Sequence, residues 1–109
     1  MSSFDYDQVA EDTLLEIEEA IDASGADIDY DNVSDILTLE FANGSKIIVN
    51  KQAPLQQLWV AARSGGYHFD YAPAEQAWLL QGSGEELFAC LGRYCSEQAG
   101  EAVVLERQR

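Results

Sequence analysis

Hydrophobic positions recur along the chain at two different periods, and the changes of period mark out its elements. Residues 4–23 read at a helical period. On a helical wheel Tyr6, Val9, Ala10, Thr13, Leu14, Ile17, Ala20 and Ile21 fall within about 140° of arc. Acids fill the opposite half, with Asp7, Glu11, Glu18 and Asp22 along one edge, Asp5, Asp12, Glu16 and Glu19 along the other, and Leu15 alone between them. Ser24-Gly25 predicts the end of this helix, Gly25 serving as a left-handed cap. From residue 27 the period drops to two. Asp27-Ile28-Asp29-Tyr30-Asp31 alternates strictly and predicts a strand with one acidic face. Asp35 precedes a second strand, Ile36 to Phe41, and Asn43-Gly44 is a two-residue hairpin signal leading into a third, Lys46 to Asn50. Pro54 interrupts, and Leu58 to Ala62 is a fourth strand. Ser64-Gly65-Gly66 reads as a turn, Tyr67 to Tyr71 as a fifth strand, and Ala77 to Gln81, after Pro73, as a sixth. Ser83-Gly84-Glu85-Glu86 matches a capping box with Ser83 at the N-cap. The helix it opens carries Leu87, Phe88, Leu91, Tyr94 and Cys95 on one face and closes at Gly100. Val103 to Leu105 is a short final strand or a docked tail. Helix, meander, helix is an α+β order, with two helices packed on one face of an antiparallel sheet and the other face left to solvent.

The 109 residues suffice for a single domain, 1–109, with one core. No apolar run approaches the length of a membrane span. Met1-Ser2-Ser3-Phe4-Asp5 lacks the features of a signal peptide, so a cytoplasmic location is expected. Cys90 and Cys95 lack a CxxC spacing and are expected to be small packing residues. Charge changes the picture most. The net charge of −14 excludes nucleic-acid binding through a basic surface and attraction to an anionic membrane. Fitting partners are cations or proteins with basic patches. The charge is lopsided as well, because residues 1–45 hold thirteen acids and no Lys or Arg.

Little else in the chain points to catalysis. One His cannot build a two-His metal site, and neither a nucleophile elbow nor a Gly-rich loop opening a helix is present. The expectation is a protein that is not an enzyme. An acidic face can serve simply to keep a domain soluble, but two features argue for more. Glu18, Glu19 and Asp22 lie in the last turns of the first helix, where each opposes the dipole at about 0.3–1 kcal/mol, with no Lys or Arg four residues away to offset them. Asp27, Asp29 and Asp31 share one side of a strand. If that strand flanks the helix, the two sets form one continuous ridge whose repulsion a cation would relieve. An all-carboxylate ridge suits hard cations held at several exposed, weak sites, and it leaves the metal's identity open. The remaining feature is Trp59. If Leu58 and Val60 face the helices, Trp59 faces outward beside Asn50, Gln52 and His68 as a protein-contact anchor; the reverse register makes it core.

Residues 43–69 contain Asn50-Lys51-Gln52-x-Pro54-x-x-Gln57-Leu58-Trp59-x-Ala61 followed by Gly66-Tyr67-His68-Phe69. This run closely resembles the signature of the frataxin family in its bacterial branch. The likeness extends to the acidic first helix, the Asp-Ile-Asp strand and the Gln98-Ala99-Gly100-Glu101 end of the closing helix. The resemblance implies a frataxin-like α/β sandwich and an accessory protein of iron–sulfur cluster assembly, and nothing in the sequence demands more than a monomer. Such a protein binds iron(II) and iron(III) weakly and modulates the cysteine desulfurase of the assembly machinery, in company with its cluster scaffold. Carried over by position, the iron ridge is Glu11, Glu18, Glu19, Asp22, Asp27, Asp29 and Asp31. The partner-binding set is Asn50, Gln52 and Trp59, with Glu18, Glu19 and Asp22 shared between the two. Bacterial members usually carry more acids just after the first helix; here that stretch is Ala23-Ser24-Gly25-Ala26, which thins the ridge. Two other readings stand beside this one: an acidic interaction module that needs no metal, and an iron oxidase that stores its product.

Overall fold

The computed structural model describes residues 5–107; Phe4 and the N-terminal residues read above lie outside them. Helix α1 runs Tyr6–Ser24. Strands β1 (Ile28–Val33), β2 (Ile36–Phe41), β3 (Lys46–Gln52), β4 (Gln57–Ala62), β5 (Gly65–Ala72) and β6 (Ala77–Leu80) follow, and then helix α2 (Leu87–Ala99). The strands form one antiparallel meander in the order β1 to β6. Both helices cover the same face. Leu37, Leu39, Ile47, Val49, Leu58, Val60 and Phe69 point inward and meet Leu14, Ile17 and Ile21 of α1 and Leu87, Leu91 and Cys95 of α2, all essentially inaccessible to water. The predicted α+β sandwich and both helical stripes are therefore observed. Gly25 and Gly100 cap the two helices in the left-handed conformation. Cys90 and Cys95 are free and buried, as expected, and burial raises both thiols, that of Cys95 to about 12. No helix among the described residues is long and apolar enough to cross a membrane.

Several local readings are corrected. The β2–β3 connection is longer than two residues. Gly44 N–H donates to Phe41 O and Phe41 N–H to Ser45 O, so Ala42-Asn43-Gly44 is a three-residue loop with Gly44 in the left-handed bulge position at φ 86°. Asn43 is drawn there because its amide donates to the Gln98 carbonyl at the end of α2. A two-residue turn does occur between β1 and β2, at Ser34-Asp35, both with positive φ. The β4–β5 turn is Arg63-Ser64; Gly65 and Gly66 already pair with Ala62 and Ala61. The capping box does not form. Leu80 N–H donates to Glu85 O, Gly84 N–H donates to Leu80 O and Leu79 bridges Glu86, which holds residues 83–86 against β6. Glu86 itself caps α2, accepting from Phe88 N–H and Ala89 N–H.

Val103–Leu105 is a docked tail with no strand pairing. Val103 and Leu105 are buried, and the Ser96 hydroxyl accepts from Val103 N–H. Gly92 makes room for this approach, since a Cβ there would stand 3.3 Å from Val103 O. Further along the tail, Arg107 donates to Glu16 Oε1 at 3.2 Å and to Gln76 O at 2.7 Å. Glu16, read above as part of a solvated acidic edge, is buried for this reason.

A single cation ties the start of α1 to the sheet. Lys51 Nζ, at the end of β3, lies 3.2 Å from Asp7, 3.4 Å from Glu11 and 3.6 Å from Asp35, over the ring of Tyr6, with its side chain almost fully covered. Burial opposes the Lys51 charge, but the hydrogen bonds to Asp7 and Glu11 and the nearby Asp35 outweigh it and raise the ammonium above its ordinary 10.5. A raised amine stabilises the fold below its unfolded value and loses that contribution as pH climbs through the folded one. Lys51→Met is therefore expected to lower stability at neutral pH, with the deficit shrinking above pH 10.5, as read by urea unfolding across pH. Ile17→Ala, which empties a wholly buried site, is expected to cost about 2–5 kcal/mol in the same assay.

Candidate functional site

The acids gather at two places, and alternation along β1 decides which go where. Ile28 faces the core, so Tyr30 and Asn32 lie on the helix side of the sheet and Asp29 and Asp31 on the open side. Tyr30 Oη donates to Asp22 Oδ2 at 2.8 Å, and Asn32 Nδ2 donates to Glu18 Oε2 at 3.0 Å. The hydrogen bond to Asp22 raises the Tyr30 phenol above its ordinary 10.0, helped by some desolvation and by the charges of Asp22 and Glu18. These two side chains sit between the helical carboxylates and those of the strand. The continuous ridge read from the sequence is thus divided into two rows. The helix-edge row holds Glu18 and Asp22; Glu19, half-buried like Glu18, lies about 100° around the helix on the edge that carries Glu16. Asp29 and Asp31 instead join Thr38, Glu40 and Lys46 around a shallow depression on the open face.

The remaining predicted ridge residues fall apart from both rows. Asp27 sits in the bend before β1, beside Asn43, Ala99 and Glu101. Glu11 is engaged by Lys51 two turns and more toward the helix start. Among the described residues no three His, Cys, Asp or Glu side chains converge on one point. The acids therefore offer one or two carboxylates at a time, an arrangement that fits a hard cation keeping most of its water.

The open face settles the register of Trp59. Leu58 and Val60 are buried, and Trp59 is partly exposed on the other side. Cross-strand pairing lines up Ile36 with Asn50, Asn50 with Trp59 and Trp59 with His68 in one row across the sheet. The Trp59 and His68 rings stack at 4.2 Å and 10°. Ala61 and Gly66, small residues in the next row, leave a shallow hollow beside the stack, walled by Ile48 and Tyr67. Val33, Ile36 and Ile48 are exposed on this same face, at 58, 41 and 37%. An uncovered apolar strip therefore lies next to a row of acids. Gln52 continues the face beyond Asn50, opposite Gln57. Sequence reading missed Glu40 and Lys46, although period-2 counting from Leu39 would have placed Glu40 outward. It also missed Gln57, which accepts from the indole N–H at 2.7 Å, and Asp70, which accepts from the Gln57 amide at 3.0 Å.

Comparison with known proteins agrees with this geometry. The family model described as a frataxin-like domain matches residues 1–101. Proteins named iron–sulfur cluster assembly protein CyaY are similar to the chain over nearly all its length. That of Photobacterium profundum is 48% identical over 94% of this chain and 96% of its own, and that of Paraburkholderia phymatum is 47% identical over the same shares. The Pseudomonas aeruginosa protein of that name is 51% identical over 81% of this chain and 82% of its own. Among solved structures, a frataxin from Psychromonas ingrahamii, studied for stability modulation within the CyaY family, superposes with a TM-score of 0.84 at 39% identity, covering 94% of this chain and 95% of that one. The chain belongs to the frataxin family.

Proposed function

We propose that residues 1–109 form one frataxin-like domain that serves iron–sulfur cluster assembly as an iron-binding accessory protein and modulates the cysteine desulfurase. The observation that carries this reading is the open sheet face, where the Trp59–His68 stack and the exposed Val33, Ile36 and Ile48 adjoin the acidic row of Asp29, Asp31 and Glu40. A surface of this kind suits a partner that presents apolar groups flanked by Lys or Arg. Trp59, Asn50 and Gln52 supply the contact, and the carboxylates supply attraction and orientation. Iron is cargo here. It is held weakly by the helix-edge row of Glu18 and Asp22, with Glu19 around the helix from them, and by the strand row of Asp29 and Asp31, with Asp27 and Glu11 outlying.

The division into two rows makes this testable. Anaerobic titration of the labelled protein with iron(II) is expected to perturb the resonances of residues 18–22 and 29–31 as two groups with separate midpoints, and calcium is not expected to reproduce every change. A second reading, an acidic interaction module that needs no metal, is favoured by the engagement of Glu11, Glu18 and Asp22 with Lys51, Asn32 and Tyr30. Calcium and iron giving identical shifts would support that reading instead. In either case Trp59→Ala is expected to weaken desulfurase binding by roughly 30-fold or more, the cost of losing a central aromatic anchor, in a pull-down or calorimetric titration. Asp29→Lys combined with Asp31→Lys is expected to weaken it most at low salt.

A further inference from the structure

Among the described residues Trp59 is the one large aromatic ring at the centre of the open face, and a chain of polar groups on that face adjoins it. Its indole Nε1–H donates to Gln57 Oε1 at 2.7 Å. Gln57 is 7% exposed, and its amide Nε2 donates to Asp70 Oδ1 at 3.0 Å. The other carboxylate oxygen of Asp70 accepts from Gln81 Nε2 at 3.1 Å. Register explains the grouping, since Gln57 pairs directly with Asp70 across β4 and β5 and Gln81 N–H donates to the His68 carbonyl beyond the end of β6.

The chemistry of these groups allows only one arrangement. An indole N–H can only donate and a carboxylate can only accept, whereas a glutamine amide can present either end to either neighbour. Asp70 fixes the choice: with a carboxylate on one side, the NH₂ of Gln57 must face it, and the amide oxygen is left facing the indole. Without Asp70 only the indole end of the amide is held. The NH₂ of Gln57 loses its acceptor, the side chain is free to swing, and the hydrogen bond that complements the His68 stack is weakened. We infer that Asp70 is a positioning residue for the contact surface, acting through Gln57 to hold the Trp59 indole flat against His68 and facing outward.

This inference rests on the reading of the open face as the desulfurase contact, and its test separates the two. The chain has only two tryptophans. The second, Trp78, donates its indole N–H to Thr13 Oγ1 in the core at 2.9 Å, which provides an internal control for folding. In Asp70→Ala, the ¹H–¹⁵N resonance of the Trp59 indole is expected to move and its hydrogen exchange to accelerate, while the Trp78 indole stays in place. Asp70→Asn keeps an acceptor toward Gln57 and can donate to a turned Gln81 amide, so it is expected to restore the wild-type Trp59 signal. Binding to a bacterial cysteine desulfurase is expected to weaken roughly tenfold in Asp70→Ala. It should recover in Asp70→Asn, and Asp70→Ala should add nothing in a Trp59→Phe background, where no indole N–H remains. A Trp59 indole signal unmoved by Asp70→Ala, or not restored by Asp70→Asn, overturns the inference, even if binding falls. If the indole moves while binding is unchanged, Asp70 still positions the ring, and the reading of this face as the desulfurase contact is the one that fails.

Discussion

Leu37, Leu39, Val49, Leu58 and Phe69 are fully shielded from water because α1 and α2 both lie across one face of the sheet. Burying each such side chain contributes roughly 1.5–3 kcal/mol, so the register of β2 to β5 is set by the need to keep these residues on the covered side. A slip of one residue in any strand would expose its apolar set. The same constraint acts on the other face. Once the inward residues are placed, Asp29, Asp31, Glu40, Asn50, Trp59, His68 and Asp70 must point out, because strand side chains alternate. The open face is thus the obligatory reverse side of the core.

Polar hubs finish the packing where apolar burial cannot. Lys51 gathers Asp7, Glu11 and Asp35 at the start of α1. At the far end Gln98, 4% exposed, accepts from Arg63 N–H and donates to Ser45 Oγ and the Lys46 carbonyl, joining α2 to two hairpin loops. Arg107 brings the tail back over Glu16. Each hub satisfies groups that would otherwise be buried without partners, a loss of about 1–3 kcal/mol apiece. The Lys51 and Arg107 hubs also engage carboxylates that sequence reading had left free. The thirteen acids of residues 1–45 therefore do not form one reservoir for a metal or a basic partner. Some are structural counter-charges, Glu18 and Asp22 lie at the helix edge, and Asp29, Asp31 and Glu40 lie on the open sheet face.

Most of the architecture was legible. The helical stripe of α1, the strand alternations and the glycine caps depend on local periods and local φ preferences, which neighbours along the chain determine. The errors lie where distant residues compete for the same group. Ser83 and Glu86 match a capping box, but pairing with β6 holds them outside the helix. Asn43-Gly44 matches a two-residue turn, but the Asn43 amide reaches the Gln98 carbonyl.

By itself the sequence determined the α+β class, which residues of each strand share a side and, through the run from Asn50 to Phe69, the family. Only the tertiary structure decided that Trp59 faces outward, that it is held by Gln57 and stacked on His68, and that the acids form two rows. The physical reason is that strand alternation states which residues share a side but not which side the helices cover. Nor does charge counted along a chain reveal which carboxylates a folded neighbour, such as Lys51, Tyr30, Asn32 or Arg107, has already engaged.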